Sequence, residues 1–151
     1  MKLTAERLRL VSVLALAALS MVRQAEACSC GAWSWAVGGF KEAAAVFEGE
    51  VTSIESRMLD HKGEQFVGAL RVRFKVHRVW KGAHSPDAVV ETSPDESMCG
   101  YSFRRGVAYV VYAYPSDTPG NPPFTLLCSR TKGGAARFYE RVLLGPAEWT
   151  P

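Results

Sequence analysis

Alternating apolar and polar residues predict a half-buried β-strand over residues 46–54. Its polar positions share one face of the strand and are Glu48, Glu50 and Thr52. Gly49 lies in the interior of this stretch, where a glycine predicts a sharp bend or the close approach of a neighbouring backbone. The polar stretch 57–68 that follows predicts a loop.

The clearest alternation in the chain predicts a second strand over residues 70–81. One face of this strand is apolar, and the other carries three basic side chains, those of Arg71, Arg73 and Lys75. Near His77 and Arg78 the alternation shifts by one residue, which predicts a β-bulge at that point.

Three shorter strands are predicted in the second half of the chain, over residues 88–92, 107–114 and 124–128. Residues 107–114 are apolar at both alternating sets of positions, which is typical of a strand that is covered on two sides. The proline-rich stretch 115–123 predicts a connecting loop.

Two short helices are predicted to flank the strands. One lies at the start of the domain, before residue 46, and the other begins at Ser129 or Thr131 as N-cap and stops at Gly145-Pro146. The apolar stripe of the second helix consists of Ala135, Phe138 and Val142. Five short, bent strands with two helices bury their apolar faces best as a small closed or partly closed barrel, because closure leaves no unpaired edge.

The first 27 residues have the order of a secretory signal peptide: basic residues, an apolar run over 10–22, then Ala25-Glu26-Ala27. The apolar run has about 13 residues, too few to span a bilayer as a helix. We therefore expect residues 1–27 to be removed and residues 28–151 to form one secreted or extracytoplasmic domain without a transmembrane segment.

Removal of this leader changes the charge of the protein. The leader contains four basic and two acidic residues, so the formal net charge falls from +3 to +1. A nearly neutral domain gives no electrostatic reason to expect a nucleic-acid partner. The basic face of Arg71, Arg73 and Lys75 lacks interleaved aromatic residues, so we expect it to be solvated, with binding of an acidic polymer as the alternative.

All four cysteines, Cys28, Cys30, Cys99 and Cys128, belong to the expected exported domain. An even number of cysteines in an exported domain predicts disulfides. A Cys28–Cys30 bridge would close a very tight ring, which disfavours it. Both remaining connectivities join the amino-terminal segment to the two later cysteines, and the spacing does not choose between them.

No pattern in the chain predicts catalysis or a cofactor. The three histidines, His61, His77 and His84, are scattered, and no nucleophile motif lies near them. The chain has no Cys-x-x-Cys redox pair, no phosphate-binding glycine loop and no zinc-protease helix motif. The histidines also show no ligand spacing with Cys28 and Cys30 that would indicate a structural zinc site.

Several motifs together resemble a netrin-like domain of the kind found at the amino end of the tissue inhibitors of metalloproteinases. They are Cys28-x-Cys30, the stretch 45–51, Val79-Trp-Lys-Gly82, Cys99-Gly100 before the stretch 109–113, and Cys128-Ser-Arg-Thr131. The resemblance covers nearly all of residues 28–151. It implies a five-stranded OB-type barrel with two disulfides, Cys28–Cys99 and Cys30–Cys128. The family's third disulfide in this domain and the proline that commonly follows the Cys-x-Cys have no counterpart here.

The resemblance also implies a function. In the family, the α-amine and carbonyl oxygen of the first cysteine chelate the catalytic zinc of a target protease, so Cys28 would bind metal only in trans. Cys28, Ser29 and Cys30 would then form an inhibitory wedge, with Ser29 entering the specificity pocket. The alternative to an inhibitor is an extracytoplasmic netrin-like module with a structural or protein-binding role and no inhibition. We expect the protein to be a monomer.

Lipidation of Cys28 would block the amine that chelation requires. The tripeptide Ala-Glu-Ala before Cys28 lacks the leucine that is usual at lipidation sites and has a charge where small residues are preferred. We therefore expect a free amine rather than a lipid anchor.

Overall fold

The computed structural model describes Cys28, Cys30 and residues 36–151. The predicted signal peptide, residues 1–27, and the predicted wedge residue Ser29 lie outside the described residues. The described chain contains one 3₁₀ turn (Glu96–Met98), two helices and five strands: α1 (Ala36–Glu42), β1 (Ala45–His61), β2 (Glu64–Lys81), β3 (Asp87–Thr92), β4 (Ala108–Ala113), β5 (Lys132–Gly133) and α2 (Ala136–Leu144).

The five strands form one sheet in the order β3-β2-β1-β4-β5, and every pair of neighbours is antiparallel. The predicted mainly β fold, with five strands and a short helix towards each end, is confirmed. No helix in the part of the chain that the structure describes is long and apolar enough to cross a membrane.

β1 and β2 form one long hairpin, so the loop predicted over residues 57–68 is wrong. The hairpin turns at Lys62 and Gly63, whose φ angles of 56° and 85° are both positive. A two-residue turn of this kind matches the twist of the flanking strands. Neither turn nor strand was evident in the sequence, because Lys-Gly is not a strong turn signal and most side chains of this arm are exposed.

The predicted bulge in the second strand is confirmed. Glu48 pairs with Arg78 whereas Gly49 pairs with Val76, so His77 is the extra residue on β2. The close backbone approach predicted at Gly49 is also present, since a Cβ atom there would lie 2.9 Å from the carbonyl oxygen of Lys75. The bulge and this contact bend the hairpin near its base.

Two apolar clusters lie on opposite faces of β4, as its apolar pattern predicted. Tyr109, Val111 and Ala113 belong to the cluster that also contains Phe47, Val51, Phe74 and Val90. Val110 and Tyr112 belong to the second cluster, against which Phe40 of α1 and Leu144 of α2 pack. Both helices therefore cover the same face of the sheet.

The strand predicted over residues 124–128 is wrong, because the chain turns between Leu126 and Ser129. Phe124 forms single bridges instead, parallel to Glu91 of β3 and antiparallel to Tyr114 just after β4. The amide of Glu91 donates to the carbonyl oxygen of Pro123 at 2.9 Å, and the amide of Tyr114 donates to that of Phe124 at 2.7 Å. The fifth strand of the sheet is β5, which pairs with β4.

The predicted start of the second helix is also wrong, because the N-cap of α2 is Ala135. Ser129 and Thr131 are buried, and their hydroxyl groups bond to that of Thr125 at 2.9 and 3.0 Å. The predicted end is confirmed, since the amide of Gly145 donates to the carbonyl oxygen of Arg141.

α2 also turns its apolar stripe towards solvent. The side chains of Phe138 and Val142 are 50% and 80% exposed, whereas the buried residue of the helix is Glu140, at 3%. Polar contacts beneath the helix therefore orient it, rather than its apolar periodicity.

Candidate functional site

Two disulfides attach the amino-terminal cysteines to two neighbouring loops. Cys28 is bonded to Cys99, with 5.6 Å between Cα atoms, and Cys30 is bonded to Cys128, with 5.0 Å. The amide of Leu127 donates to the carbonyl oxygen of Cys99 at 2.9 Å, so the two loops are also joined directly. This is the pairing that the netrin-like resemblance implies, and one of the two that the spacing left open.

The 3₁₀ turn Glu96–Met98 positions Cys99. Asp95 caps this turn, because its carboxylate accepts hydrogen bonds from the hydroxyl group of Ser97 and, at 3.1 Å, from the amide of Met98. The bond from Ser97 is the main reason why the pKa of Asp95 lies below its ordinary value of 3.8. Cys99 follows with a positive φ of 61°, which directs the chain back towards the sheet.

Gly100 has a steric reason to follow Cys99. Its amide donates to the carbonyl oxygen of Asp95 at 2.9 Å. An added Cβ atom would collide with the carbonyl oxygen of Ser93 and lie 2.7 Å from that of Asp95. Both obstacles are backbone atoms, so a side chain at this position would displace the loop that anchors Cys28.

Exposed apolar side chains lie beside the anchoring cysteines. Met98, 53% exposed, directly precedes Cys99, and the exposed Leu127 directly precedes Cys128. Cys30 is itself exposed, and Cys28 is half-buried. The structure thus brings together the two described residues of the predicted wedge and two apolar side chains that the sequence patterns did not point to.

The predicted basic face of β2 lies among carboxylates. Arg71 donates through Nη2 to the carboxylate of Glu91 at 2.9 Å, and the Nε atom of Arg57 lies 3.2 Å from the same carboxylate oxygen. Glu91 is buried. Two guanidinium groups therefore share one buried negative charge.

The other two basic residues of this face also have acidic neighbours. Arg73 donates through Nε to Glu55 at 3.2 Å. Lys75 is exposed and lies opposite Glu50 on β1 and Asp87 on β3. Because negative groups alternate with the positive ones, the arrangement favours a solvated face over a binding site for an acidic polymer.

A buried polar site lies beneath α2, where the sequence patterns gave no signal. The carboxylate of Glu140 accepts two hydrogen bonds from Arg130, through Nε and Nη2, both at 2.8 Å. It accepts a third from the hydroxyl group of Tyr112 at 2.7 Å. Burial and this bond to Glu140 raise the pKa of Tyr112, and the carboxylate raises the pKa of the Arg130 guanidinium.

Glu48 is the second buried carboxylate under α2, although the strand pattern placed it with polar residues. Its side chain contacts Arg78 on the neighbouring strand and two arginines of the helix, Arg137 and Arg141. Arg137 and Arg141 are four residues apart, so they lie on one face of α2. This spacing is a signal in the sequence that two arginines share one face of the helix, although none of the sequence-based predictions used it.

The described residues contain no group of three or more histidine, cysteine, aspartate or glutamate side chains that could hold a metal ion. No protein-family model matches this chain, and no curated protein is significantly similar to it in sequence. The netrin-like resemblance therefore rests on the residues of the chain itself.

Replacement of both cysteines of the Cys30–Cys128 disulfide by serine should lower the free energy of unfolding by about 2–5 kcal/mol. The sequence separations of the two disulfides are 98 and 71 residues, so chain entropy predicts that loss of Cys28–Cys99 costs only about 0.3 kcal/mol less. Urea denaturation of both double variants measures their free energies of unfolding. Unchanged stability in either variant would contradict the prediction.

Proposed function

We propose that this chain is a secreted netrin-like protein that inhibits zinc metalloendopeptidases through Cys28, Ser29 and Cys30. The observation that carries the proposal is the attachment of both early cysteines to two loops that are hydrogen-bonded to each other. This frame would hold the start of a chain cleaved before Cys28 in one position. Disulfides are typical of oxidising compartments, which supports export.

The proposed mechanism is displacement of the catalytic water of the target. A catalytic zinc keeps one coordination position open for water, which it activates as the nucleophile. The α-amine and carbonyl oxygen of Cys28 would bind the zinc and remove this water. Because two disulfides restrict the segment before binding, little conformational entropy is lost when the complex forms.

Residues around Cys28 would contact the protein surface of the target. Ser29 follows the chelating residue directly, so its side chain would enter the adjacent specificity pocket. Met98 and Leu127 would add apolar contacts beside the wedge, since both are exposed and each directly precedes a disulfide-bonded cysteine.

We also propose that the sheet forms an OB-type barrel that the segment around Phe124 completes. In the order of the sheet, β3 lies at one edge, and β4 lies on the far side of β1 and β2. Phe124 bridges to Glu91 of β3 and to Tyr114 beyond β4. These hydrogen bonds join the two sides of the sheet, as closure of a small barrel requires.

A second candidate is an extracytoplasmic module that binds another protein without inhibiting a protease. The exposed apolar side chains of α2 favour it, since Tyr139 is 77% and Val142 80% exposed. Apolar groups exposed together are typical of an interaction site. This helix contains none of the disulfide-bonded cysteines, so the two functions would use different surfaces.

A titration against a panel of zinc endopeptidases tests the proposal. Amino-terminal sequencing and the intact mass of the non-reduced protein first establish that Cys28 is the first residue, carries a free amine and is disulfide-bonded. We expect one-to-one inhibition of at least one enzyme. A protein with this verified amino terminus that inhibits no enzyme of the panel would favour the second candidate.

A further inference from the structure

A cleft of about 370 Å³ lies between α2 and the end of β2. It involves neither disulfide, so it is separate from the proposed inhibitory wedge. Its wall combines two arginines with apolar groups: Arg78, Trp80, Phe138, Arg141, Val142 and the turn of residues 145–147.

The cleft borders a cluster with excess positive charge. Glu48, 3% exposed, is the centre of the cluster. Its carboxylate lies 2.9 Å from Nη1 of Arg78, 3.2 Å from Nε of Arg137 and 3.6 Å from Nε of Arg141. Three guanidinium groups thus surround one carboxylate, and the cluster has a net charge of +2. The carboxylate balances only one of the three positive charges, so the cluster attracts a further anion.

The two arginines that line the cleft have unused hydrogen-bond donors. Arg78 donates to Glu48 through Nη1 only, and Arg141 is too far from Glu48 for a hydrogen bond. Among the described residues, neither guanidinium group has another acceptor. A guanidinium group presents two parallel donors that match the two oxygens of a carboxylate.

The remaining wall of the cleft suits an apolar group. Phe138 and Val142 contribute exposed apolar surface. The indole Nε1 of Trp80 already donates to the carbonyl oxygen of Gly145 at 2.9 Å, so this ring brings no unpaired donor to the wall. The volume of the cleft is at the lower end of the range for ligand pockets, about 300–1,000 Å³.

We propose that this cleft binds a carboxylate that is attached to an apolar group. Arg78 and Arg141 bind the carboxylate, and the apolar group contacts Trp80, Phe138 and Val142. A free small acid and the terminal carboxylate of a peptide with an apolar last residue share this chemistry.

Titration of the ¹⁵N-labelled, disulfide-bonded protein with N-acetylphenylalanine tests the proposal by NMR. We expect shifts of the Trp80 indole and of the amides of Gly145 and Ala147, with a Kd on the order of 1 mM. The primary amide of the same compound lacks the charge, and acetate lacks the apolar group, so each should bind at least about tenfold more weakly. Equal binding of acid and amide, or no shift at these residues, would overturn the proposal.

A tripeptide that ends in phenylalanine with a free carboxylate distinguishes the two sources of the ligand. Tighter binding than that of N-acetylphenylalanine means that the cleft recognises a peptide end. Equal or weaker binding means that it recognises a free small acid.

Two variants in the cleft and one control variant outside it locate the site. Arg141→Gln leaves Arg78 and Arg137 on Glu48 and should weaken binding of N-acetylphenylalanine at least about tenfold. Arg105→Gln makes the same change at an exposed position outside the cleft and should leave the Kd unchanged. Val142→Glu places a negative charge on an exposed residue of the wall without changing the partners of Glu48, so it tests the site even if Arg141→Gln does not fold. Unchanged binding in Arg141→Gln and Val142→Glu would contradict the assignment.

Discussion

Addition of one alanine before Cys28 should abolish protease inhibition, raising the inhibition constant at least about 100-fold. In the extended protein the nitrogen of Cys28 belongs to a peptide bond, so its lone pair is delocalised and cannot coordinate zinc. The extra residue would also occupy the space into which the zinc site must fit. Inhibition constants for the extended and unextended proteins against the most sensitive enzyme of the panel measure the effect.

Two controls separate chelation from a general effect of the extension. Alanine added after Pro151 lengthens the chain equally and should leave inhibition unchanged. Selective acetylation of the α-amine changes the chelating atom and adds only one small group, and it should reduce inhibition as strongly as the extension. An extended protein that keeps both disulfides and inhibits as well as the unextended one would show that the amine of Cys28 does not bind the zinc.

Glu140→Gln should lower the free energy of unfolding by about 3 kcal/mol. The substitution preserves the shape of the side chain but removes the negative charge that pairs Arg130. The side chain of Arg130 is only 18% exposed, so water cannot fully replace the lost partner. The amide oxygen can still accept the bond from Tyr112, so the loss measures the ion pair rather than the whole polar site.

Glu148→Gln is the matched control, because it makes the same chemical change on a side chain that is 64% exposed. Its neighbour is His84, at 3.9 Å, and we expect a change within about 0.5 kcal/mol. Urea denaturation followed by tryptophan fluorescence compares the two variants. Similar losses of unfolding free energy in both variants would show that burial does not increase the contribution of the Arg130–Glu140 pair to stability.

The hairpin shows which parts of the fold could be predicted from the sequence. The shift of alternation at His77 and the glycine at position 49 were local signals, and each corresponds to an observed contact between β1 and β2. For the outer part of the same hairpin, around Lys62 and Gly63, the polar sequence predicts a loop instead. Its side chains are mostly exposed, so burial imposed no apolar pattern on its sequence.

The candidate sites also combine features that the sequence predicted with features that it did not. The four cysteines and their restriction to two connectivities followed from counting and ring size, and the netrin-like resemblance chose between the two. The apolar neighbours Met98 and Leu127 had no signal of their own, because single exposed apolar residues in loops are common. Each of the two residues adjoins its cysteine in the sequence, whereas folding brings the two loops together, as the hydrogen bond from the amide of Leu127 to the carbonyl oxygen of Cys99 shows.

The β-rich class of this protein, the bulge in β2, the covered strand β4 and the presence of four cysteines for disulfides followed from the order of its residues. Which carboxylates are buried depends on contacts that form in the folded protein. Glu48 and Glu140 can be buried because arginines from other segments surround them, Arg78 and Arg141 around the first and Arg130 beside the second. The periodicity of apolar residues indicates which positions of a helix or strand face the core. The burial of a charged side chain depends instead on partners that are distant in the sequence. These contacts turn the apolar side of α2 outwards and create the cleft beside it.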